Sequence, residues 1–254
     1  MKNNVGVLNE DERVSLMDIL TGLEFYKRNE AAMMHELYGF FFAGMATIQY
    51  STMNMIYYLT ANKQYKAKLI SELEGLWAKC GGDLMTGLQY DDVQDLSYLI
   101  ACFNESLRIE APAAITIQSS MLQDCRVGSN KVEFKKGTIF VVLIHEVHHD
   151  PDQWRSPKEY RPERFETGKD DNEWLKRPDG KPRSPLAFTP FYGGRRVCLG
   201  KTFAEQVVRY TIPMLFHFLD FEFVSQEQAK HKETFTLEGK PVNLPFRILM
   251  RSKA

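Results

Sequence analysis

The sequence predicts a mainly α protein with a small β region. Apolar residues recur at helical spacing through most of the first 110 or so positions, and Ile, Val and Thr become common only between about 113 and 142. With 254 residues, 44% of them hydrophobic, the chain can bury a sizeable core. The 32 basic and 33 acidic residues nearly cancel, so we expect no nucleic-acid partner.

The first helices follow from local patterns. The segment 11–25 predicts a short helix, because an acidic residue precedes apolar residues at helical spacing. The next segment, 37–62, contains 26 residues without a charge or histidine and predicts a long helix. A membrane span needs about 20 such residues. Polar residues in its middle, among them Thr47 and Gln49, favour a buried helix that faces a cavity.

Two more helices are predicted before the β region. The segment 62–80 is amphipathic, with Leu69, Leu73 and Leu76 on one side, and Gly81 and Gly82 end it. The segment 90–109 predicts another helix, and Pro112 follows its end. Its buried face is predicted to comprise Val93, Leu96, Leu99, Ile100 and Phe103.

The second half alternates between irregular and regular chain. Residues 135–144 predict a turn and a strand, whereas recurrent prolines between 150 and 190 predict a long irregular segment. The segment 201–212 predicts a helix, and residues 235–254 predict a terminal hairpin that turns near Gly239 and Pro241. The apolar face of that helix is predicted to comprise Leu199, Phe203, Val207 and Tyr210.

The stretch 140–151, FVVLIHEVHHDP, contains an H-E-x-x-H motif at His145, Glu146 and His149. On a helix this spacing can place two zinc-binding imidazoles beside a glutamate base. The β-branched residues before it and Pro151 after it argue against a stable helix. We therefore do not expect a zinc peptidase.

The four cysteines include no C-x-x-C pair and occupy dissimilar surroundings, which predicts reduced thiols in an intracellular protein. Cys80, Cys102 and Cys125 are interpreted as small buried hydrophobic residues. Cys198 differs, because glycines and arginines precede it and a helix follows it. These neighbours favour a thiolate, and a thiolate beside an arginine suits axial ligation of a haem iron with the arginine paired to a propionate.

The stretch FYGGRRVCLG resembles the haem-binding loop of the cytochrome P450 family, F-x-x-G-x-R-x-C-x-G. The matching positions are Phe191, Gly194, Arg196, Cys198 and Gly200. The resemblance implies that Cys198 is the haem iron ligand, that Arg196 binds a propionate and that Phe191 shields the sulfur. It implies that Gly194 and Gly200 permit close approach of the cofactor, haem b.

Two further motifs extend the resemblance. The sequence ESLR, with Glu105 and Arg108, resembles the family's E-x-x-R motif. The sequence PERF, which contains Arg164, resembles the family's P-E-R-F element. In the family this arginine joins the helix pair in a buried network. The stretch before P-E-R-F also resembles the family, which places His148 and His149 at a structural turn.

The long helix resembles the family's oxygen-binding helix at Ala43, Gly44 and Thr47, which the resemblance assigns to oxygen activation. Position 46 is alanine, where the family usually has an acid that helps to deliver protons. Gln118 and Ser119 also stand near where members often place a basic partner of a propionate.

The resemblance implies a mainly α chain equivalent to the C-terminal part of the P450 fold, with residues 1–254 as one portion of a single domain whose N-terminal half and membrane anchor are missing. Full-length relatives are often anchored in the endoplasmic reticulum membrane. The implied activity is insertion of one atom of dioxygen into a small apolar organic substrate, with electrons from an NADPH-dependent reductase. The alternatives are a haem-thiolate isomerase or peroxygenase, and an inactive truncated homologue.

A basic segment is a candidate docking face for an acidic reductase, near Arg195 and Lys201. Between positions 176 and 201 only Asp179 is acidic. The basic residues there are Lys176, Arg177, Lys181, Arg183, Arg195, Arg196 and Lys201.

Overall fold

The computed structural model describes residues 15–81, 84–166, 173–225 and 246–251. The chain divides into two compact units, Met1–Met45 and Ala46–Ala254. Both units contain helices, and the second also contains small antiparallel sheets. The predicted class, mainly α with a small β region, is confirmed.

In the first unit, helix α1 (Leu16–Gly22) begins at a capping box. The Ser15 hydroxyl accepts a hydrogen bond from the Asp18 N–H at 3.1 Å, and the Asp18 carboxylate accepts one from the Ser15 N–H at 2.8 Å. A short helix α2 (Glu24–Lys27) follows. The predicted short helix is therefore present, and residues 11–14 of the prediction lie outside the described chain.

The long helix α3 (Glu30–Ala61) begins earlier than predicted and belongs to both units. Its buried side chains lie only in its second half, from Ser51 to Leu59. Phe41 and Phe42 are each 72% exposed, so the expected burial is wrong for the first half. Among the described residues, no helix combines the length and apolarity needed to cross a membrane.

The core of the second unit forms where α4 (Lys63–Lys79) packs against α6 (Ser97–Ile109) and α8 (Lys201–Phe218). The predicted buried leucines of α4, Leu69 and its two partners, are confirmed. Gly81 follows with a φ of +61°, a left-handed conformation that favours glycine after a helix. A short helix α5 (Leu84–Gly87), which the sequence pattern did not predict, precedes α6.

The single helix predicted over 90–109 is wrong in its first part. A 3₁₀ turn at Asp91–Val93 comes first, and α6 begins only at Ser97. The α4 residue Glu72 accepts hydrogen bonds at 2.8 Å from the N–H groups of Tyr98 and Leu99. A carboxylate from another helix thus satisfies the free donors at the start of α6.

Three two-stranded antiparallel sheets complete the described chain. Strand β1 (Ser119–Ser120) pairs with β4 (Ile139–Phe140), and β2 (Cys125–Val127) pairs with β3 (Val132–Phe134). Strand β5 (Leu219–Phe223) pairs with β6 (Phe246–Met250). The terminal segment therefore pairs with β5, and the predicted turn residues Gly239 and Pro241 lie outside the described residues.

Helix α7 (Ile144–His149) corrects the prediction of a turn at this position. Proline disfavours helical conformation in the residue before it, and Asp150, which precedes Pro151, is indeed extended. Pro151 therefore ends the helix without preventing it. The described part of 150–190 is irregular, as the prolines predicted. It contains short 3₁₀ turns at Pro162–Phe165 and Pro185–Ala187 and an isolated β-bridge between Lys176 and Pro182.

Helix α8 is present where predicted, and of its predicted apolar face Tyr210 packs against the core. The buried residues are Val208, Ile212, Pro213 and Phe216. Leu199 and Phe203 are 80% and 64% exposed. The periodicity identified apolar positions correctly, but it could not tell which of them face the core.

Candidate functional site

The loop 191–200, called the cysteine loop, closes on a backbone hydrogen bond. The Cys198 N–H donates to the Phe191 carbonyl at 2.8 Å, and a 3₁₀ turn at Gly194–Arg196 lies between them. Gly194 has a φ of +64°, which favours glycine at this position of the loop. Cys198 is exposed, so the loop presents its thiol at the surface of the described chain.

Apolar and cationic groups surround this thiol in sequence. Val197 is 51% exposed, and the exposed Leu199 and Phe203 follow Cys198. Arg196 is also exposed. A Cβ on Gly200 would lie 3.8 Å from the Cys198 sulfur, so the absence of a side chain leaves the sulfur accessible on that side.

The α3 residues predicted for oxygen activation lie in different units. Ala43 and Gly44 belong to the first unit and Thr47 to the second. Ala43 and Thr47 are exposed, and a Cβ on Gly44 would meet nothing within 4 Å. The Thr47 carbonyl accepts a hydrogen bond from the Ser51 hydroxyl at 2.7 Å.

Glu105, Arg108 and Arg164, called the Glu105 network, come together in the interior. Arg108 Nε and Nη2 donate to the two Glu105 carboxylate oxygens at 2.8 and 2.9 Å, and Arg164 Nε donates to Glu105 Oε1 at 3.2 Å. The three side chains are fully buried. Such a paired geometry compensates charges that have lost their water.

Glu173 is a further member that sequence reasoning missed. Its carboxylate accepts hydrogen bonds from Arg164 Nη1 and, at 3.1 Å, from Arg161 Nη2. The Arg161 N–H also donates to Glu105 at 2.9 Å. Burial lowers the pKa of Arg164, and the nearby carboxylates of Glu105 and Glu173 oppose that shift. No local motif marks Glu173 in the sequence.

Arg183, also missed as a buried residue, organises the irregular segment. Its guanidinium donates to the carbonyls of Trp174, Glu173 and Lys176 at 3.0, 2.6 and 2.7 Å, and to that of Gln153. It is 8% exposed, and burial lowers its pKa to about 10. The prediction that Arg183 belongs to the basic docking face is therefore wrong, because its side chain is buried.

The H-E-x-x-H motif lies on α7. The rings of His145 and His149 stack with centroids 4.1 Å apart, and His149 Nδ1 is 2.8 Å from the His145 carbonyl oxygen. Glu146 is exposed. Within the described ranges, no group of three or more His, Cys, Asp or Glu side chains has an arrangement that could hold a metal ion.

A thiol in a glycine-containing loop before a long helix, in a mainly α chain, is the arrangement expected of a haem-thiolate protein. The sequence model of the Cytochrome P450 family matches residues 6–246. The chain belongs to this family.

Individual relatives agree. The chain is 32% identical over 175 residues to cytochrome P450 4F3 of Rattus norvegicus. This alignment covers 69% of the present chain and 30% of the rat protein. The chain is 28% identical over 254 residues to a probable cytochrome P450 6d5 of Drosophila melanogaster, which covers 98% of this chain and 46% of that one. The chain thus spans less than half the length of these curated relatives.

A solved structure supports the fold. The crystal structure of a cytochrome P450 (CYP102L1) superposes with a TM-score of 0.72 over 85% of this chain and 44% of that one, at 24% sequence identity. The P450 fold is therefore confirmed for the present chain.

The cofactor of this family is haem b. The residues of the cysteine loop fit it, because haem needs one axial donor, an apolar surface and cations for its propionates. The exposed Cys198 thiol, the exposed Leu199 and Phe203, and the exposed Arg196 supply these features.

Proposed function

We propose that this chain forms part of a haem-thiolate monooxygenase, which inserts one atom of dioxygen into a small apolar organic substrate. The observation that carries the proposal is the exposed thiol of Cys198, held by the 2.8 Å hydrogen bond of its own N–H within a loop of the family's pattern. Residues 1–254 correspond to the C-terminal portion of a single P450 domain.

The proposed roles follow from the chemistry of each group. Cys198 ligates the iron, Arg196 pairs with a propionate, and Phe191 shields the sulfur. Gly194 and Gly200 leave the surface low enough for a flat macrocycle. Bound there, haem supplies the redox-active iron at which dioxygen is reduced.

The α3 residues are assigned to oxygen activation. Ala43 and Gly44 leave room for dioxygen because they carry little or no side chain, and the hydroxyl of Thr47 holds a water that delivers protons. The Glu105 network and Glu173 stabilise the irregular segment that leads to the cysteine loop.

The electrons are proposed to come from NADPH through a reductase. Arg195 in the cysteine loop and Lys201 just after it are exposed and offer a cationic surface to an acidic partner. Arg177 and Lys181 contribute less, because both contact the carboxylate of Asp179, at 3.3 and 3.4 Å.

A second candidate is a peroxygenase or isomerase, and Ala46 is the observation that favours it. Without an acid beside Thr47, proton delivery to reduced dioxygen loses a positioned donor, whereas a hydroperoxide brings its own reduced oxygen. Turnover with hydroperoxide, but none with NADPH and a reductase, would identify this activity.

The testing experiment is the reduced, carbon-monoxide difference spectrum of the chain purified with haem supplied, beside a Cys198→Ser control. We expect a thiolate-type Soret band that the substitution abolishes. Failure to take up haem, or a spectrum that the substitution leaves unchanged, would favour an inactive homologue instead.

A further inference from the structure

His148 occupies a buried position between two parts of the second unit. It lies on α7 with no exposed surface, and its Nε2 atom is 2.9 Å from the backbone N–H of Thr189. An N–H can only donate, so Nε2 is the acceptor and the ring is neutral. Burial and the nearby charge of Arg108 lower the pKa of His148 to about 3, which agrees with this protonation state.

The backbone of His148 makes the second connection. Its carbonyl accepts a hydrogen bond at 3.0 Å from Arg108 Nη1, the guanidinium that also binds Glu105. Its ring packs against Phe188 with centroids 5.3 Å apart. A single residue thus joins the Glu105 network to the chain that precedes the cysteine loop.

That chain leads to Cys198 through backbone contacts. The Thr189 carbonyl accepts a hydrogen bond from the Tyr192 N–H at 2.9 Å, and the Phe191 carbonyl accepts one from the Cys198 N–H at 2.8 Å. The Tyr192 hydroxyl donates to the Ile115 carbonyl at 3.2 Å. Thr189 is therefore the point at which the loop is attached to α7.

We propose that His148 is a positioning residue for the cysteine loop. Its ring accepts the hydrogen bond from the Thr189 N–H and thereby fixes the Phe191 carbonyl, which accepts the hydrogen bond from the Cys198 N–H. The proposal rests on the proposed function in taking this loop as the haem site. The position of the loop is a property of the protein itself, so it can be measured without haem.

The experiment measures hydrogen exchange at single amides of the full chain by NMR, with no haem added. His148→Leu removes the acceptor, whereas His148→Gln places an amide oxygen near the position of Nε2. We expect exchange at Thr189 and Cys198 to accelerate at least tenfold in His148→Leu and to return within threefold of the unsubstituted chain in His148→Gln. His149→Leu, on the same helix, should leave both amides within threefold.

Unchanged exchange at Cys198 in His148→Leu would overturn the proposal, as would equal acceleration in His148→Leu and His148→Gln. If His148→Leu does not fold, His148→Asn replaces it, because its shorter side chain withdraws the acceptor from Thr189. An asparagine that protects Cys198 as well as glutamine does would also overturn the proposal.

A separate readout distinguishes this proposal from the proposed function. With haem supplied, His148→Leu should lower the fraction of protein that shows the thiolate-type Soret band at least threefold. His148→Gln should restore that fraction. If the unsubstituted chain gives no such band, the haem function fails, and the exchange result alone still decides the role of His148.

Discussion

The guanidinium of Arg183 lies 3.7 Å from the centre of the Trp154 ring, in a site where four backbone carbonyls accept its hydrogen bonds. Arg108 approaches the same ring at 5.2 Å. Trp154 is fully buried and thus contacts two buried cations, Arg183 and Arg108. The irregular segment folds around this ring and these charges rather than around regular backbone pairing.

Arg183→Lys should therefore destabilise the chain although it keeps the charge. A lysine cannot reproduce the planar set of donors, so buried carbonyls lose their partners. We expect the free energy of unfolding to fall by about 2 to 4 kcal/mol. Urea unfolding followed by tryptophan fluorescence measures it. Lys181→Ala, an exposed change in the same segment, should remain within about 0.5 kcal/mol, and equal losses in the two variants would contradict this account.

Glu105→Gln should be more damaging, because it leaves the buried charges of Arg108 and Arg164 with less compensation. The expected loss is about 3 to 5 kcal/mol in the free energy of unfolding. Glu133→Gln is the matched control, since Glu133 also pairs with an arginine, Arg126, but at an exposed site. Its expected loss is below about 1 kcal/mol. A small effect of Glu105→Gln would contradict this account and show that Arg108 and Arg164 do not depend on the charge of Glu105.

The sequence predicted what depends on short spacing. The amphipathic pattern of α4 located its buried leucines, and the motif at Glu105 and Arg108 has side chains that meet because three residues separate them on one helix. The glycines near Cys198 belong to a loop in the structure, and Gly194 has the positive φ that favours glycine. Each of these features is decided within one or two turns of chain.

Features that depend on distant chain were missed. The start of α6 is set by Glu72 on another helix, and the burial of Arg183 is set by carbonyls that an irregular segment brings together. Periodicity placed Leu199 and Phe203 on one apolar face but could not predict that both side chains are exposed, because it records apolar character and not what lies opposite. The same exposed residues are the ones that the proposed haem site uses.

The low pKa of His148 predicts a loss of stability in acid. An unfolded chain has a histidine pKa of about 6.5, whereas the folded value is about 3. Above pH 6.5 or so the ring is neutral in both states and its contribution is complete. As the pH falls towards 3 the unfolded state binds the proton first, so stability declines by up to about 1.4 kcal/mol per pH unit.

Urea unfolding at pH 7, 6 and 5 tests this dependence. Carboxylates also titrate at the lower end of this range, so the informative quantity is the difference between the unsubstituted chain and His148→Gln, which has no titrating group at this position. The unsubstituted chain should lose stability relative to His148→Gln as the pH falls. Parallel pH profiles for the two chains would show that His148 ionises normally in the folded protein.

Ala46→Glu should improve coupling of electrons to product, provided that the proposed monooxygenase activity is present. A carboxyl beside Thr47 adds a positioned proton donor, an effect ordinarily about 10² to 10⁴-fold in rate. Ala46 is half-buried and precedes the exposed Thr47 on α3. We expect at least a tenfold rise in product formed per NADPH consumed, measured with a reductase and a chosen apolar substrate.

Gln49→Glu, an exposed position on the same helix, should leave the ratio unchanged. A rise with both variants would indicate a general effect of charge, whereas a rise with neither would favour the hydroperoxide-dependent activity, in which this proton donor has no part.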